Sequence, residues 1–529
     1  MSSPLKPVFS LPGTSKPWAP KVLLLLLLLI AFALRVYEFR GFGAVDDAAY
    51  AQLAHQIEQG QFSPGAYSGP AVFPLRVGIL YPTALLFRFF GISEWSMVAF
   101  PFLLSVLSVL LAYVCTNHFF GRRAALIAAA VWTILPLDAF YASILVPDLP
   151  AAFLSSLAVM VVILTADSRT SHPAARWLGG VAAGLLLGAS WLCKESVAYL
   201  VPFCGFLMMT TLRADWRANL PVWAGTLLGA LGVLASEAVV YYSTAGDWLF
   251  HFHETERNYR QYKNAFVVPG AALAADAGGF RAAVLRRLVL EGPQTILLKG
   301  QFLYLPLFAS VVALHAIYWK DKSYLVPVVW FATLVLMFNF SSSSLTSYVP
   351  LVLFDRYLYP ILLPATILSA GFLGNLLPPR DKAGSVHAQR ERVFWGTAIV
   401  LILLLVAAQQ NYSNRKWYPG WASQVKVVSG LVRPSDRVYS DILSIYGLEF
   451  FWRYPKNMAA INFEDMASPE IPPHSYVLVN RTYLDWLASH AGWWPTKSER
   501  YVKPIYYDQV PSSWRRVWSD DSAVLYYAQ

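Results

Sequence analysis

The sequence predicts a polytopic α-helical membrane protein with a small C-terminal α/β domain, and both its composition and its apolar runs support this prediction. Of its 529 residues, 57% are hydrophobic and only 14% are charged, whereas soluble domains carry roughly 25% charged residues. The mean hydropathy of +0.46 agrees. This composition excludes a soluble enzyme of this length and a disordered chain.

Runs of apolar residues long enough to form a membrane-spanning helix recur from residue 22 to residue 408. A hydrocarbon core about 30 Å thick needs roughly 20 such residues, and we count about eleven runs of this kind. They lie at residues 22–37, 95–117, 124–143, 149–166, 177–193, 196–212, 218–242, 296–319, 324–340, 357–377 and 393–408. A further run at 75–90 contains Arg76 and Arg88 and is interrupted by Pro82. We therefore expect it to lie along the outer membrane boundary without crossing.

The positions of the cations predict the direction of these spans, because short cytoplasmic loops are enriched in Lys and Arg. If residues 75–90 do not cross, every loop on the side of the N-terminus carries at least two cations. These cations are Arg122, Arg123, Arg169, Arg176, Arg213, Arg217, Lys320, Lys322, Arg380, Lys382, Arg390 and Arg392. The excess of 41 Lys and Arg over 31 Asp and Glu is thus explained by the membrane, and no nucleic-acid partner is expected.

The domain organisation follows from this topology. We predict a cytoplasmic tail at 1–21, a transmembrane module at 22–409 and an extracytoplasmic α/β domain at 410–529. Outer loops of the module are expected at 38–94 and 243–295. Within the C-terminal domain, alternating apolar patterns predict strands at 437–440, 475–480 and 523–527, with helices at 442–452 and 482–489.

The predicted topology gathers ionisable residues at the outer membrane boundary. They are Asp46, Asp47, Arg76, Asp148, Lys194, Glu195, Asp355 and Arg356, together with the loop 247–291. Charged groups at span ends are costly enough to be candidates for function. The sequence therefore predicts one shared cavity at this level.

Asp46 and Asp47 precede an amphipathic helix at 48–60, for which Gly60 is the expected C-terminal stop. One interpretation is that either carboxylate only caps this helix. The other is that a carboxylate, kept ionised by the helix dipole, acts as a general base towards a hydroxyl or an amine.

The basic residues have competing interpretations as well. Lys194 and Glu195 either pair with one another or present Lys194 to a phosphate. Arg257 and Arg260, with Lys263, are spaced to fall on one side of a helix, where they could clamp a phosphate or contact lipid headgroups. Arg356, followed by Tyr357, either pairs with Asp355 alone or faces the cavity. Asp148, which follows Pro147, could simply be a helix cap.

Evidence in the sequence for a cofactor is slight. His251 and His253 lie near Glu254 and Glu256 and are weak candidates for a divalent metal site. The three cysteines lie inside apolar runs, so we expect neither a disulfide framework nor a zinc site. No Walker loop, dinucleotide fingerprint or nucleophile elbow is present.

Several of these segments together resemble a known family. The segments are Arg35, 46–50 with the helix ending at Gly60, 76–82, 91–94, 119–123, 147–148, 187–195 and 356–360. Their order and spacing resemble the GT-C membrane glycosyltransferases, in particular the superfamily of protein O-mannosyltransferases and lipid A aminoarabinose transferases. The resemblance covers roughly residues 22–377. The domain at 410–529 resembles no family that we can name.

The resemblance implies a multi-pass enzyme of a bacterial-type inner membrane that takes a sugar from a polyprenyl-phosphate carrier at the extracytoplasmic face, by inversion. Its acceptor would be a lipid, a glycan or a protein. Asp46, with Asp47 beside it, matches the catalytic carboxylate of the family. The family often has Asp-Glu at this point, so the resemblance leaves open which carboxylate is the base. Arg76, Lys194 and Arg356 match basic positions that hold the carrier phosphate, and Asp148 would line the same cavity.

Two other functions remain open from the sequence. A flippase for lipid-linked sugars would use the same ligands, although repeated halves and broken midplane helices are typical of transporters. A non-catalytic membrane scaffold with a glycan-binding outer domain would also fit the composition.

Overall fold

The computed structural model describes residues 19–43, 46–67, 69–168, 172–266, 282, 284–342, 344, 348, 350–376, 386–417, 422–463, 470–489 and 510–529. Its first helices are α1 (Ala19–Tyr37), α2 (Asp46–Glu58), α3 (Val77–Phe90), α4 (Glu94–Phe120), α5 (Arg122–Thr133), α6 (Pro136–Tyr141), α7 (Asp148–Asp167) and α8 (Pro173–Cys193). They are followed by α9 (Val201–Ala214), α10 (Trp216–Ala245), α11 (Phe250–Phe266), α12 (Gly292–Leu297), α13 (Leu305–Tyr318), α14 (Leu325–Phe340), α15 (Tyr359–Leu376) and α16 (Val386–Trp417).

Within the described residues, eight helical segments are long and apolar enough to cross a membrane, and each contains or overlaps one of the predicted runs. Short 3₁₀ segments extend three of them: Glu195–Leu200 before α9, Lys322–Tyr324 before α14 and Asp355–Leu358 before α15. The mostly helical membrane fold predicted from the sequence is therefore confirmed.

Two of the other predicted runs are divided in the structure. The run 124–143 is split between α5 and α6, because Pro136 starts a new helix and cannot donate a hydrogen bond back to the previous turn. The run 296–319 is split between α12 and α13, where Leu303 and Tyr304 have positive φ angles of 52° and 54°. The run 393–408 lies inside α16.

Helix α3 corresponds to the run that we expect to lie along the membrane boundary. Its N-terminal neighbour Arg76 is paired with Glu195. Just beyond its C-terminus, Glu94 accepts a hydrogen bond from the amide of Phe42, in the connection that leads to α2. Both ends of α3 therefore lie at the same end of the helix bundle. Its exposed face carries large apolar side chains, including Leu85 and Phe89, as expected for a helix lying in a membrane interface.

Glycines bring α8 and α10 into close backbone contact. A Cβ on Gly184 would overlap the carbonyl oxygen of Thr226, and a Cβ on Gly229 would lie 2.5 Å from the carbonyl oxygen of Val181. Small residues of this kind allow helices in a membrane to approach closely. The glycine-rich stretch 179–188 is therefore a packing surface.

A buried polar network joins α1, α4, α6 and α15. The guanidinium of Arg35 lies 2.5 Å from the carboxylate of Asp138, and both side chains are fully buried. Arg35 also donates to the hydroxyl of Ser105 at 2.7 Å, and the hydroxyl of Tyr359 donates to Asp138 at 3.1 Å. Since Tyr359 begins α15, this network fixes the start of that helix.

The C-terminal region forms a five-stranded mixed sheet with the strand order β2-β1-β3-β5-β4. Its elements are α17 (Ser423–Leu431), β1 (Val438–Ser440), α18 (Ile442–Phe451), β2 (Ala460–Asn462), β3 (Ser475–Asn480), α19 (Arg481–Ser489), β4 (Arg515–Ser519) and β5 (Ala523–Ala528). Strand β1 is parallel to β2 and β3, whereas β3 and β4 are antiparallel to β5. The three predicted strands correspond to β1, β3 and β5. The two predicted helices correspond to α18 and α19.

This C-terminal α/β region packs against α2 and the loop before it. Phe42 stacks on Phe450 with ring centroids 4.3 Å apart, and His55 stacks on Tyr454 at 4.8 Å. Lys426 forms an ion pair with Glu94 at 2.5 Å. The sheet region therefore covers the end of the bundle at which α2 lies.

Replacing Glu449 of α18 with Gln is expected to stabilise the protein above neutral pH. Burial raises the pKa of Glu449 to about 7, above its value of roughly 4.3 in an unfolded chain. The folded state thus binds more protons between these values, and its stability falls as pH rises through that window. At pH 8 the free energy of unfolding of the variant should be higher by about 1–3 kcal/mol, and the variant should unfold at a higher temperature.

The effect should be nearly lost at pH 4, which lies below both pKa values, so that the carboxyl group is mostly protonated in both states. The measurement is thermal unfolding of the detergent-solubilised protein at both pH values. Asp521→Asn, which changes an exposed acid of the same region, is the control. An equal shift at pH 4 and pH 8 would contradict the burial argument.

Candidate functional site

A cavity of about 1330 Å³ lies where α2, α7, α8, α10, α11 and the segment before α15 meet. Most of the site residues predicted from the sequence line it: Asp46, Asp47, Arg76, Asp148, Lys194, Glu195, His251, Arg356 and Tyr357. The structure thus brings together residues from six separate segments, at one end of the bundle. Their roles remain predictions.

Arg356 lies at the centre of the charged cluster. One of its terminal nitrogens is 2.5 Å from Oδ2 of Asp46, and its Nε is 3.7 Å from Oδ2 of Asp148. Asp355 instead pairs with Lys299 at 3.1 Å. The interpretation in which Arg356 pairs with Asp355 alone is therefore wrong, because Arg356 joins two carboxylates from other helices.

Lys194 completes this cluster from the end of α8. Its ammonium group donates to Oδ1 of Asp148 and lies 3.3 Å from the centre of the Tyr357 ring, a cation–π arrangement. Asp148 and Lys194 meet because α7 starts where α8 ends. Asp148 is therefore one partner of an ion pair, and it is not the cap residue of α7, which is Pro147.

Arg76 and Glu195 form a second ion pair on the cavity wall. Two nitrogens of Arg76 contact the two carboxylate oxygens of Glu195, one of them at 3.0 Å. This bidentate geometry is a strong form of charged hydrogen bond. The interpretation in which Lys194 and Glu195 neutralise one another is wrong, since each pairs with a residue from a different segment.

The two adjacent carboxylates at the start of α2 have different surroundings. Asp46 is 26% exposed and contacts Arg356. Asp47 is buried, and its Oδ2 accepts a hydrogen bond from the amide of Gly43 at 2.5 Å. Asp47 therefore secures the chain that enters α2, while Asp46 is open to a ligand in the cavity.

Tyr50 lies one turn further along α2 and lines the same cavity. Burial raises the pKa of Tyr50 well above its usual value, and the charge of Arg76 opposes this rise only in part. The phenol thus stays protonated at physiological pH and can donate a hydrogen bond into the cavity.

The two histidines named as weak metal candidates have separate partners. His251 lines the cavity, and its Nδ1 lies 2.7 Å from Glu237. His253 is exposed and contacts Asp247. Among the residues that the structure describes, no group of three or more His, Cys, Asp or Glu side chains is placed to hold a metal ion.

Arg257 of α11 is not part of this cluster. Arg257 is 64% exposed and pairs with Glu254 at 2.5 Å, and it does not line the cavity. The side chain of Arg260 lies outside the described residues.

Sequence reasoning missed Glu237 and Lys299, both of which line the cavity. Glu237 interrupts the apolar run 218–242, and an acidic residue within a span is a signal of function that could have been used. Lys299 gives the same kind of signal, because it is a cation inside the predicted run 296–319.

The cavity also has an apolar wall. Its contributors from α10 are Leu231, Leu234, Ala235 and Ala238, with Phe338 from α14 and 351–354 from the segment before α15. An apolar surface beside a charged cluster matches a ligand with a polar head and a hydrocarbon tail.

Comparisons with known proteins agree with this architecture. Residues 77–239 match the family described as dolichyl-phosphate-mannose-protein mannosyltransferase. Undecaprenyl phosphate-alpha-4-amino-4-deoxy-L-arabinose arabinosyl transferases from two strains of Pseudomonas aeruginosa are 28% and 27% identical to this chain over 240 residues. The match covers 44% of this chain and 43% of each relative, so it spans less than half of their length.

Two solved structures share the fold over nearly the whole chain. ArnT from Cupriavidus metallidurans, bound to undecaprenyl phosphate, has a TM-score of 0.53 at 14% identity and covers 97% of this chain and 98% of its own. The oligosaccharyltransferase of Archaeoglobus fulgidus, in complex with Zn and sulfate, has a TM-score of 0.56 at 15% identity. The match covers 96% of this chain and 73% of the oligosaccharyltransferase. The resemblance found in the sequence is thereby confirmed: the chain is a multi-pass membrane protein with the fold of the GT-C glycosyltransferases.

Proposed function

We propose that this protein is a membrane glycosyltransferase that moves a sugar from a polyprenyl-phosphate donor to an acceptor hydroxyl or amine. The observation that carries the proposal is the cluster in which Arg356 contacts Asp46 and Asp148 while Lys194 contacts Asp148. It combines a carboxylate able to take a proton with cations able to hold a phosphate. The relatives described above act on, or bind, undecaprenyl-phosphate compounds by name.

The proposed reaction is a single displacement with inversion. The acceptor oxygen or nitrogen forms a bond to the anomeric carbon, and its proton passes to the carboxylate of Asp46. The bond between the anomeric carbon and the phosphate oxygen breaks, and its electron pair leaves with the polyprenyl phosphate. Charge therefore grows on the phosphate, where fixed cations stabilise it most effectively.

The cluster is balanced before a ligand enters, because two cations face two carboxylates. A phosphate that binds to Arg356 draws the guanidinium away from Asp46, and the freed carboxylate can then accept the proton of the acceptor. Binding of the donor and activation of the acceptor are coupled through this one arginine. Asp47 acts as a positioning residue through its hydrogen bond to Gly43.

The hydrocarbon chain of the donor would lie against the apolar wall. The side chains from α10 and α14 that form this wall belong to helices long and apolar enough to cross a membrane. A polyprenyl tail can therefore remain in the bilayer while its phosphate reaches Lys194, which lies at the end of α8.

We further propose that the cavity and the C-terminal α/β region face the extracytoplasmic side of a bacterial-type inner membrane. The cavity lies at the start of α7 and the end of α8. Arg176, Arg213 and Lys322 lie at the opposite ends of their helices. Cations mark the cytoplasmic side, which supports an outward-facing cavity.

Replacing Arg356 with Gln is expected to weaken binding of undecaprenyl phosphate by about 10- to 100-fold, the usual effect of losing a hydrogen bond to a charged group. The measurement is titration of the detergent-solubilised protein with undecaprenyl phosphate. Release of undecaprenyl phosphate from a sugar-loaded donor should fall in parallel. Arg257→Gln, which changes an exposed arginine outside the cavity, is the matched control.

Other outcomes would point to the rival functions. Full transfer activity in a Lys194→Ala, Arg356→Ala double variant would exclude the proposed site. If the wild-type protein binds the sugar-loaded donor and moves it across vesicles, with the sugar still attached, the protein is a flippase. If the wild-type protein binds neither undecaprenyl phosphate nor the sugar-loaded donor, the result favours a non-catalytic membrane scaffold.

A further inference from the structure

A second cluster of polar side chains lies on the cavity wall formed by α8, α10 and α11. Glu237 accepts a hydrogen bond from the indole nitrogen of Trp191 at 2.9 Å and contacts Nδ1 of His251 at 2.7 Å. The rings of Trp191 and His251 stack with centroids 4.8 Å apart. The side chains of Glu237 and His251 are more than nine-tenths buried, so this arrangement is held firmly.

The contact with Glu237 decides which nitrogen of His251 faces a ligand. An ionised carboxylate only accepts hydrogen bonds, so Nδ1 must carry the proton that it shares with Glu237. Nε2 is the ring nitrogen left for a ligand, and it accepts a hydrogen bond in the neutral ring or donates one in the charged ring. Nε2 has no hydrogen-bond partner among the described residues.

Three other polar atoms on this wall also lack a hydrogen-bond partner among the described residues. Tyr241, Thr255 and Asn258 also line the cavity. The hydroxyl of Tyr241, Oγ1 of Thr255 and Oδ1 of Asn258 lack hydrogen-bond partners within the described part of the chain. Buried polar atoms are rarely left unpaired, because each costs free energy when it is desolvated alone. Several such atoms on one cavity wall indicate that a polar ligand completes them.

The chemistry of these atoms differs from that of the charged cluster. Arg356 and Lys194 offer only donors, which suit a phosphate. Oδ1 of Asn258 is an acceptor, and Nε2 of His251 and the hydroxyl of Tyr241 can also exchange hydrogen bonds with hydroxyl or amino groups. Trp248 and Phe252 are about half exposed beside them and provide aromatic faces. Donors for an anion and acceptors for hydroxyls thus share one cavity.

The two parts of the cavity are also close together. Trp191 lies in the last turn of α8 and Lys194 directly follows that helix, so the two are three residues apart, a separation of about 4.5 Å if counted as helical rise. A sugar attached directly to the phosphate would extend over a distance of this order.

We infer that Glu237, His251, Tyr241 and Asn258 form a subsite for the hydroxyl or amino groups of the sugar carried by the polyprenyl-phosphate donor. This inference rests on the proposed function and adds to it the group that recognises the sugar. Glu237 is a positioning residue that fixes the ring of His251.

The test compares bare undecaprenyl phosphate with undecaprenyl phosphate carrying mannose or 4-amino-4-deoxy-L-arabinose. Tyr241→Phe removes only a hydroxyl that lacks a partner, and His251→Phe keeps an aromatic ring against Trp191. Each variant should bind a sugar-loaded lipid about three- to tenfold more weakly, as expected for one hydrogen bond. Binding of the bare lipid should be unchanged, which also demonstrates that the variants are folded.

The chain offers a matched control for each variant. Tyr242→Phe and His253→Phe change exposed residues of the same types that do not line the cavity, and they should leave both affinities unchanged.

Other results would overturn the inference. One such result is that Tyr241→Phe and His251→Phe change the affinities for bare and sugar-loaded lipid equally, or change neither. In that case these residues do not recognise the sugar, and the proposed function is unaffected. If the variants weaken only competition by a free methyl glycoside, the sugar bound there belongs to an acceptor, and the assignment to the donor is wrong. If the wild-type protein binds none of these lipids, the proposed function itself fails.

Discussion

Replacing Asp46 with Asn is expected to slow sugar transfer by about 10²- to 10⁴-fold, the usual contribution of a general base. Asparagine has nearly the same shape as aspartate, but its amide cannot take a proton from the acceptor. The cations that hold the phosphate remain in place, so undecaprenyl phosphate should still bind. The measurement is the rate of undecaprenyl phosphate release under saturating donor, together with donor affinity.

Asp47→Asn is the matched control for this variant. Asparagine can still accept the hydrogen bond from Gly43 through its amide oxygen, so the rate should fall by less than about tenfold, as for a residue that acts only through its neighbours. A larger loss in Asp47→Asn than in Asp46→Asn would reverse the two roles. Wild-type turnover in Asp46→Asn would remove the general base from the proposed mechanism.

Replacing Asp138 with Ala is expected to destabilise the protein by about 3–5 kcal/mol, the cost of leaving one partner of a buried ion pair alone. Arg35 would keep its hydrogen bonds to backbone carbonyls. It would lose its ion pair with Asp138, the only carboxylate that contacts it among the described residues. Tyr359 would lose its acceptor at the same time. Thermal unfolding in detergent, followed by tryptophan fluorescence, measures the effect.

Two milder variants separate the ion pair from the hydrogen bonds around it. Ser105→Ala and Tyr359→Phe each remove one hydrogen bond to Asp138 and should cost only about 0.5–1.5 kcal/mol. If Asp138→Ala unfolds no earlier than these variants, the buried pair does not hold α1, α6 and α15 together.

The level of the candidate site in the bundle could be predicted from the sequence, but its pairings could not. Cation counts in the loops predict that Asp46, Asp148, Lys194 and Arg356 lie on the same side of the membrane. The choice between partners depends on which helices are neighbours. Asp46 and Arg356 are 310 positions apart, and no local pattern links them. The sequence alone therefore leaves an adjacent pair such as Lys194 with Glu195 open, whereas in the structure Lys194 pairs with Asp148 and Glu195 with Arg76.

Elements with local signals were the easiest to predict. Helix α2 ends near Gly60, which has a positive φ of 68°, as its sequence suggests. Strands β2 and β4 were missed, since three to five residues without clear alternation give little signal. The network around Asp138 is missed for another reason: the apolar pattern of 124–143 predicts one span, whereas Pro136 divides it and Asp138 lies just after the break.

The close contact between α8 and α10 has a consequence for the range of substrates. Lys194 follows the end of one of these helices and Glu237 belongs to the other. In the function proposed above, the distance between the groups that bind the phosphate and the sugar would therefore be set by how closely α8 and α10 pack. A donor with a bulkier headgroup is then expected to bind more weakly, because moving these helices apart would break their glycine contacts.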